Sequence, residues 1–230
     1  MSLKAIVFDF DGVIADSEPL HFRAFRDVLA GEGVELTERD YRERYLGFSD
    51  TGAFQEIAAD RAIAWRADEL AALASRKAAR FEEIERDGTA LFPGAEAAIR
   101  RTAAAVPIAI ASGALREEIV RVLDRAGLTR VFSAIVAAGE TAASKPAPDP
   151  YQRAVALLAA AGNAPLDPAH CVAIEDSRWG LASARAAGLR TVAIGRHDDV
   201  ALLADADLVI DDLSALSVSV LRHLCGPDST

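Results

Sequence analysis

Four short segments of the chain carry residue types that can do chemistry on an anion. The first, Phe8-Asp9-Phe10-Asp11-Gly12, closes an apolar run with two carboxylates two positions apart. In extended backbone that spacing sets Asp9 and Asp11 on one side and Phe10 on the other, and Gly12 permits a sharp turn. Carboxylates this close repel, which suggests a cation, a shared proton, or both; an acidic turn capping a helix is the plainer alternative. The second is Ala111-Ser112-Gly113, a hydroxyl beside a flexible glycine. With neighbouring backbone N–H groups it can hold a phosphate oxygen, although Ser-Gly turns also occur without a ligand. The third, Ser144-Lys145-Pro146, leads into Pro148-Asp149-Pro150. A lysine pinned by prolines is either a point charge aimed at an anion or a solvated loop residue. In the fourth, Ile174-Glu175-Asp176-Ser177, two acids leave an apolar run, where uncompensated charge is costly. A hard cation such as Mg²⁺ would relieve that cost, while Asp176 can instead cap a following helix.

The elements that position these groups follow from hydrophobic patterning. Short apolar runs at Ala5–Phe8, Ile108–Ala111, Ala134–Ala137, Cys171–Ile174, Thr191–Ile194 and Leu208–Ile210 have strand length. Between them, Glu117–Ala126, Pro150–Ala161 and Trp179–Ala187 carry apolar residues at helical spacing, and Gly127, Gly162 and Gly188 stand where such helices stop. Apolar strands alternating with helices predict an α/β fold, a Rossmann-like parallel sheet covered on both faces, with ligands at the carboxyl ends of its strands. From about Asp16 to Phe92 the alternation breaks. No strand stands out there; helices are expected near Glu18–Leu29 and Asp68–Arg86, and Pro93-Gly94 marks the return. The expected organisation is a catalytic core over residues 1–15 and 92–230 with a helical cap over 16–91, inserted after the first strand.

Composition narrows the function classes. The 230 residues are 51% hydrophobic and 26% charged, enough for a sizeable core without disulfides. Acidic residues outnumber basic ones by 35 to 25, and the net charge of −10 argues against nucleic acid or an anionic membrane as partner. No apolar run reaches the ~18 residues a membrane span needs, Ala103–Leu115 being short and broken by Pro107 and Gly113. The first residues lack the features of a signal peptide, so the expected compartment is the cytoplasm. Cys171 and Cys225 form no metal or redox spacing and are expected to be a buried strand residue and a tail residue.

Asp-x-Asp, Ser, Lys and Glu-Asp, in that order at four strand exits, would meet at one mouth of a parallel sheet. With that ordered set, the sequence resembles the haloacid dehalogenase-like hydrolase superfamily over nearly its whole length, cap included. The resemblance implies that Asp9 is the nucleophile and carries an aspartyl-phosphate. It implies that Asp11 protonates the leaving alcohol and then deprotonates water. Mg²⁺ would be held by Asp9, Asp176 and the backbone carbonyl of Asp11, with Glu175 orienting the shell. Ser112 with Gly113, and Lys145, would hold the phosphoryl oxygens. Asp11 favours phosphorus chemistry, because dehalogenases of the superfamily lack a second acid. Bacterial receiver domains are shorter and carry their aspartate on a later strand.

Asp16-Ser17-Glu18-Pro19-Leu20-His21 resembles the first cap hinge of the subgroup containing β-phosphoglucomutase and small-molecule phosphatases. In that light His21 and Lys77 are candidate substrate contacts from the cap, against the alternative of surface residues on cap helices. The mutase binds a distal phosphate with an arginine after a Gly-x-Ser turn; here Gly47-Phe48-Ser49 is followed by Asp50, and Leu46 replaces a lysine. Further distal-phosphate contacts are replaced by Ala114 and Arg116, of which Arg116 could partly compensate. Hydrolysis of a small phosphorylated metabolite is therefore expected ahead of mutase activity, with a non-catalytic phosphate-binding protein third. A monomer or small homo-oligomer is expected. Trp65, Phe81 and Phe54 are expected in cap packing, Trp179 against a helix, Arg196-His197-Asp198 in a solvated loop, and Gly226–Thr230 as a frayed tail.

Overall fold

The strands owe their place to runs of apolar residues with no polar alternation, which only burial on both faces accommodates. A computed structural model of the chain describes residues 3–45, 48, 50–86, 90–195, 203 and 205–226. In chain order it contains β1 (Ala5–Phe8), β2 (Ala15–Asp16), α1 (Glu18–Gly31), the single turn α2 (Glu38–Asp40), α3 (Asp50–Arg61) and α4 (Ala67–Glu85). Then follow β3 (Ala90–Leu91), α5 (Ala95–Ala103), β4 (Ile108–Ala111), α6 (Arg116–Arg125), β5 (Ala134–Val136) and α7 (Asp149–Ala161). Last come β6 (Cys171–Glu175), α8 (Arg178–Ala186), β7 (Arg190–Ile194), β8 (Leu208–Ile210) and α9 (Val218–Leu224). The chain divides into two compact units, Met1–Asp16 with Ala90–Thr230, and Ser17–Thr89.

In the first unit six strands form a parallel sheet in the order β5-β4-β1-β6-β7-β8. The chain builds outward from β1 through β4 to β5, then returns to the other side with β6, so β1 and its neighbours form the switch point where α/β sheets bind ligands. The two faces differ in bulk. Ile6, Phe8, Ile108, Ile110, Val172 and Ile174 pack one side with α5 and α6 residues. On the other, Ala5, Ala109, Ala111 and Ala173 give a shallow surface against which Tyr151, Ala154 and Leu158 of α7 are buried. Period-two geometry converts Ile-Ala-Ile-Ala in β4 directly into that asymmetry. Small residues there let α7 approach the sheet closely.

The structure corrects the sequence reading in two places. Ala15–Asp16 pairs antiparallel with Ala90–Leu91, so two short strands flank a stretch expected to lack them, and Asp16, Ala90 and Leu91 belong with the sheet unit. Two residues per strand are too few for a periodic signal. α7 stops at Gly162, as expected, and Asn163 follows in the left-handed region (φ 49°). Cys225 is buried with the core at the end of α9 rather than lying in a tail, and residues 227–230 lie outside the described residues. Burial pushes the Cys171 thiol up to about 12, which suits an inert strand residue.

The second unit is helical. Phe25, Val28, Leu29, Leu36, Tyr41, Tyr45, Phe54, Ile57, Leu70 and Leu73 form its core, with Trp65 partly buried against them. Phe81 packs in a smaller cluster with Ala24 and Ile84. Among the described residues no helix is long and apolar enough to cross a membrane.

Candidate active site

β1 ends at Phe8, but the ladder to β6 continues one step, as the Asp9 amide donates to the Ile174 carbonyl at 2.9 Å. Asp9 is thereby set at the carboxyl edge of the sheet beside Glu175, the last residue of β6. The turn that follows is closed by three backbone bonds: Gly12 N–H to the Ala15 carbonyl, and Ile14 and Ala15 N–H to the Phe10 carbonyl. Phe10 is buried in the core, as alternation requires, while Asp11 is partly exposed. Gly12 has φ +74°, and a Cβ there would stand 1.7 Å from Oδ2 of Asp176. A side chain at this position would have to displace the Asp176 carboxylate, from a backbone conformation that favours glycine.

The Lys145 ammonium joins the two motifs, donating to Oδ1 of Asp9 at 2.8 Å and to Oε1 of Glu175 at 2.6 Å. The peptide bond after it, Lys145–Pro146, is cis. Two residues on, the Ala147 carbonyl accepts from the Ser183 hydroxyl of α8 at 2.5 Å. Glu175 is wholly buried and also accepts from the Tyr151 hydroxyl at 2.6 Å and the Ser177 hydroxyl at 3.1 Å. Ser177 in turn caps α8 by accepting from the Gly180 amide. Carboxylate oxygens of Asp9, Glu175 and Asp176 lie within 4.8 Å of one another. Three carboxylates gather around one ammonium in a largely buried cluster. Burial, then the Glu175 charge, pushes the Asp9 carboxyl up to about 7 against the pull of Lys145. Those same two acids raise the Lys145 ammonium well above its ordinary value, overcoming the effect of its burial. Such a cluster of oxygen donors can hold a metal ion; the Asp11 side chain stands outside it.

Ser112 sits one residue beyond β4, its amide bonded to the Val136 carbonyl and its Oγ accepting from the Ala114 amide at 3.0 Å. Its own O–H is left to donate elsewhere. A Cβ on Gly113 would meet open space. Arg116, a candidate phosphate contact from the sequence, is paired with an acid. Its Nε and Nη2 fork onto Glu140 at 2.5 and 2.8 Å, and Nη2 also reaches the Ile135 carbonyl. That bracing ties α6 to the loop after β5, through a partner 24 positions away that no local pattern reveals. Trp179, expected against a helix, is 54% exposed with Arg178 stacked on its ring at 4.4 Å.

Within the helical unit, Lys77 is not a solvated lysine. It is 2% exposed and donates to Oδ1 of Asp50 and Nδ1 of His21, both at 2.7 Å. His21 stacks on Phe81 at 4.2 Å. Burial and then the Lys77 charge push its imidazole down to about 3, so the ring is neutral, with Nδ1 accepting and the proton on Nε2. Leu46, Gly47, Ser49, Arg196, His197 and Asp198 lie outside the described residues.

Sequence reasoning missed Tyr151 and Gly180. A Cβ on Gly180 would sit 1.9 Å from the Glu175 carboxylate. Gly180→Ala is accordingly expected to displace Glu175, with about 1–3 kcal/mol of destabilisation from overpacking and activity falling about 100-fold. Chemical denaturation and kcat measure the two. Unchanged activity would show that Glu175 tolerates displacement.

A family model for haloacid dehalogenase-like hydrolase matches residues 3–188. The chain belongs to this family. As a haloacid dehalogenase-like hydrolase it is an enzyme, and its relatives act on phosphate esters. Protein CbbY of Rhodobacter capsulatus is 37% identical over 97% of this chain and 100% of its own length. Beta-phosphoglucomutase of Bacillus subtilis is 28% identical over 96% of this chain and 95% of its own. Among solved structures, a mutant CbbY from Rhodobacter sphaeroides in complex with xylulose-(1,5)bisphosphate has a TM-score of 0.69 at 29% identity, covering 94% of this chain and 97% of that one.

Proposed function

We propose that this hydrolase is a Mg²⁺-dependent phosphatase of small sugar phosphates that works through a phosphorylated Asp9. One observation carries the reading: Lys145 bridges Asp9 and Glu175 at 2.8 and 2.6 Å beside Asp176, at the carboxyl edge of the sheet. The cluster fits a magnesium ion, because its donors are hard carboxylate oxygens held close together. Asp9, Asp176 and the backbone carbonyl of Asp11 would hold the ion, with Glu175 supporting them. Bound there, Mg²⁺ offsets the repulsion between the Asp9 carboxylate and a phosphate dianion.

A carboxylate oxygen of Asp9 forms a bond to phosphorus as the ester P–O bond breaks. Asp11 gives its proton to the departing alcohol oxygen. Water then attacks the same phosphorus, Asp11 takes up a proton from it, and Asp9 is regenerated as inorganic phosphate leaves. Ser112, its oxygen already turned toward the Ala114 amide, has its O–H for a phosphoryl oxygen. Lys145 supplies a positive charge beside the reacting carboxylate.

Sugar phosphates are supported as the substrate class by the relatives' names, one a phosphoglucomutase and one crystallised with a pentulose bisphosphate. The mutase reading stays second. Where the resemblance asks for a distal-phosphate arginine this chain has Asp50, whose charge pairs with Lys77. The test is phosphate release with Mg²⁺ from a panel of hexose and pentose mono- and bisphosphates, including xylulose 1,5-bisphosphate and β-glucose 1-phosphate. Release of one equivalent from at least one sugar phosphate, abolished by EDTA, is the expected result. Conversion of β-glucose 1-phosphate to glucose 6-phosphate without release would put the mutase in its place, and silence across the panel would end both readings.

A further inference from the structure

Tyr151 takes no part in the chemistry just described, yet its hydroxyl is built into the acid cluster. The residue is fully buried in the first turn of α7, brought against the sheet by the alanine face of β1, β4 and β6. Its hydroxyl donates to Oε1 of Glu175 at 2.6 Å, and that same oxygen accepts from Lys145 Nζ at 2.6 Å. The ring also lies 5.2 Å from the ammonium. A carboxylate oxygen offers about two lone-pair sites, so two donors fill Oε1. Oε2 accepts from Ser177 at 3.1 Å and keeps the remaining acceptor site.

We infer that Tyr151 is a positioning residue: its hydroxyl holds Oε1 of Glu175 so that the carboxylate stays fixed in its supporting place beside the cation's ligands and the Lys145 ammonium stays shared with Asp9. Without the hydroxyl, Oε1 has a single donor left. The carboxylate then turns more freely, and the ammonium is drawn toward it and away from Asp9. The inference rests on the phosphatase reading proposed above.

Tyr151→Phe removes the hydroxyl and keeps the ring over Lys145. In the full chain, the Mg²⁺ concentration giving half of the Mg²⁺-induced rise in Tm is expected to increase about tenfold. Titration calorimetry with Mg²⁺ should report the same change, while kcat falls about tenfold and KM moves less than about twofold. Because the hydroxyl acts through Glu175, adding Tyr151→Phe to Glu175→Gln should change neither the Mg²⁺ midpoint nor kcat by more than about twofold. A Tyr151→Phe protein whose Mg²⁺ midpoint and kcat match wild type overturns the inference, whether or not its metal-free Tm has dropped. Additive losses in the double variant overturn it too. A wild type that neither binds Mg²⁺ nor releases phosphate overturns the phosphatase reading and this inference together. A competent wild type beside an unaltered Tyr151→Phe overturns this inference alone.

Discussion

Asp9→Asn yields a folded protein whose phosphate release lies at least about 10⁴-fold below wild type, since an amide is a poor nucleophile. The same substitution leaves the metal-free protein no less stable at pH 8. Asp9 titrates near 3.8 in the unfolded chain and about 7 in the fold, because burial and Glu175 outweigh Lys145. Between those values the folded state binds a proton that the unfolded state has released, so metal-free wild type loses stability as pH climbs from about 4 to about 7. Asparagine has no proton to lose and escapes that decline. His21 acts in the opposite sense, with a folded value of about 3 against 6.5, so its contribution fades as pH falls below 6.5. It is present in both proteins and drops out of the comparison. Mg²⁺ binding to wild type at pH 6 should release up to one proton, and none from this position at pH 8.5. Calorimetry in buffers of different ionisation enthalpy measures the release, and thermal melts across pH measure the stability. Substantial turnover by Asp9→Asn would remove Asp9 as the nucleophile.

Lys145→Met has the largest expected effect on the fold. Asp9 and Glu175, 12% and 0% exposed as side chains, lose the ammonium that sits 2.8 and 2.6 Å from them. Removing one partner of a buried ion pair costs about 3–5 kcal/mol, because the other is left uncompensated. The loss is greatest at pH 8 without divalent ion. It shrinks at pH 5, where Asp9 takes up a proton, and again when Mg²⁺ supplies the missing positive charge. Turnover drops about 10²–10³-fold, as for other charge-stabilising groups at a reacting centre. Urea unfolding at both pH values, with and without Mg²⁺, separates these effects. A Lys145→Met protein that unfolds at the wild-type urea midpoint at pH 8 would show that the ammonium does not hold the acids together.

Most of the frame for these residues is written locally. Ile108-Ala-Ile-Ala and Cys171-Val-Ala-Ile are strands by length and apolarity alone, and the polar groups after them fall at strand exits for the same reason. The part that escaped depends on contacts remote in sequence. Tyr151 sits among the apolar positions of α7 and reads as core; its reach to Glu175 crosses 24 residues. A usable signal existed in the alanines of the facing strands, which mark a helix packed close enough for a tyrosine to touch the edge. Gly180 reads as an ordinary glycine until the carboxylate lying on it is seen. Lys77 shows most plainly what periodicity cannot supply, because a lysine on a helix looks solvated unless its partners, Asp50 and His21, are known to converge on it.

An ammonium already lodged between Asp9 and Glu175 gives these two buried acids a partner from the chain itself, so the rim of the sheet carries its own counter-charge.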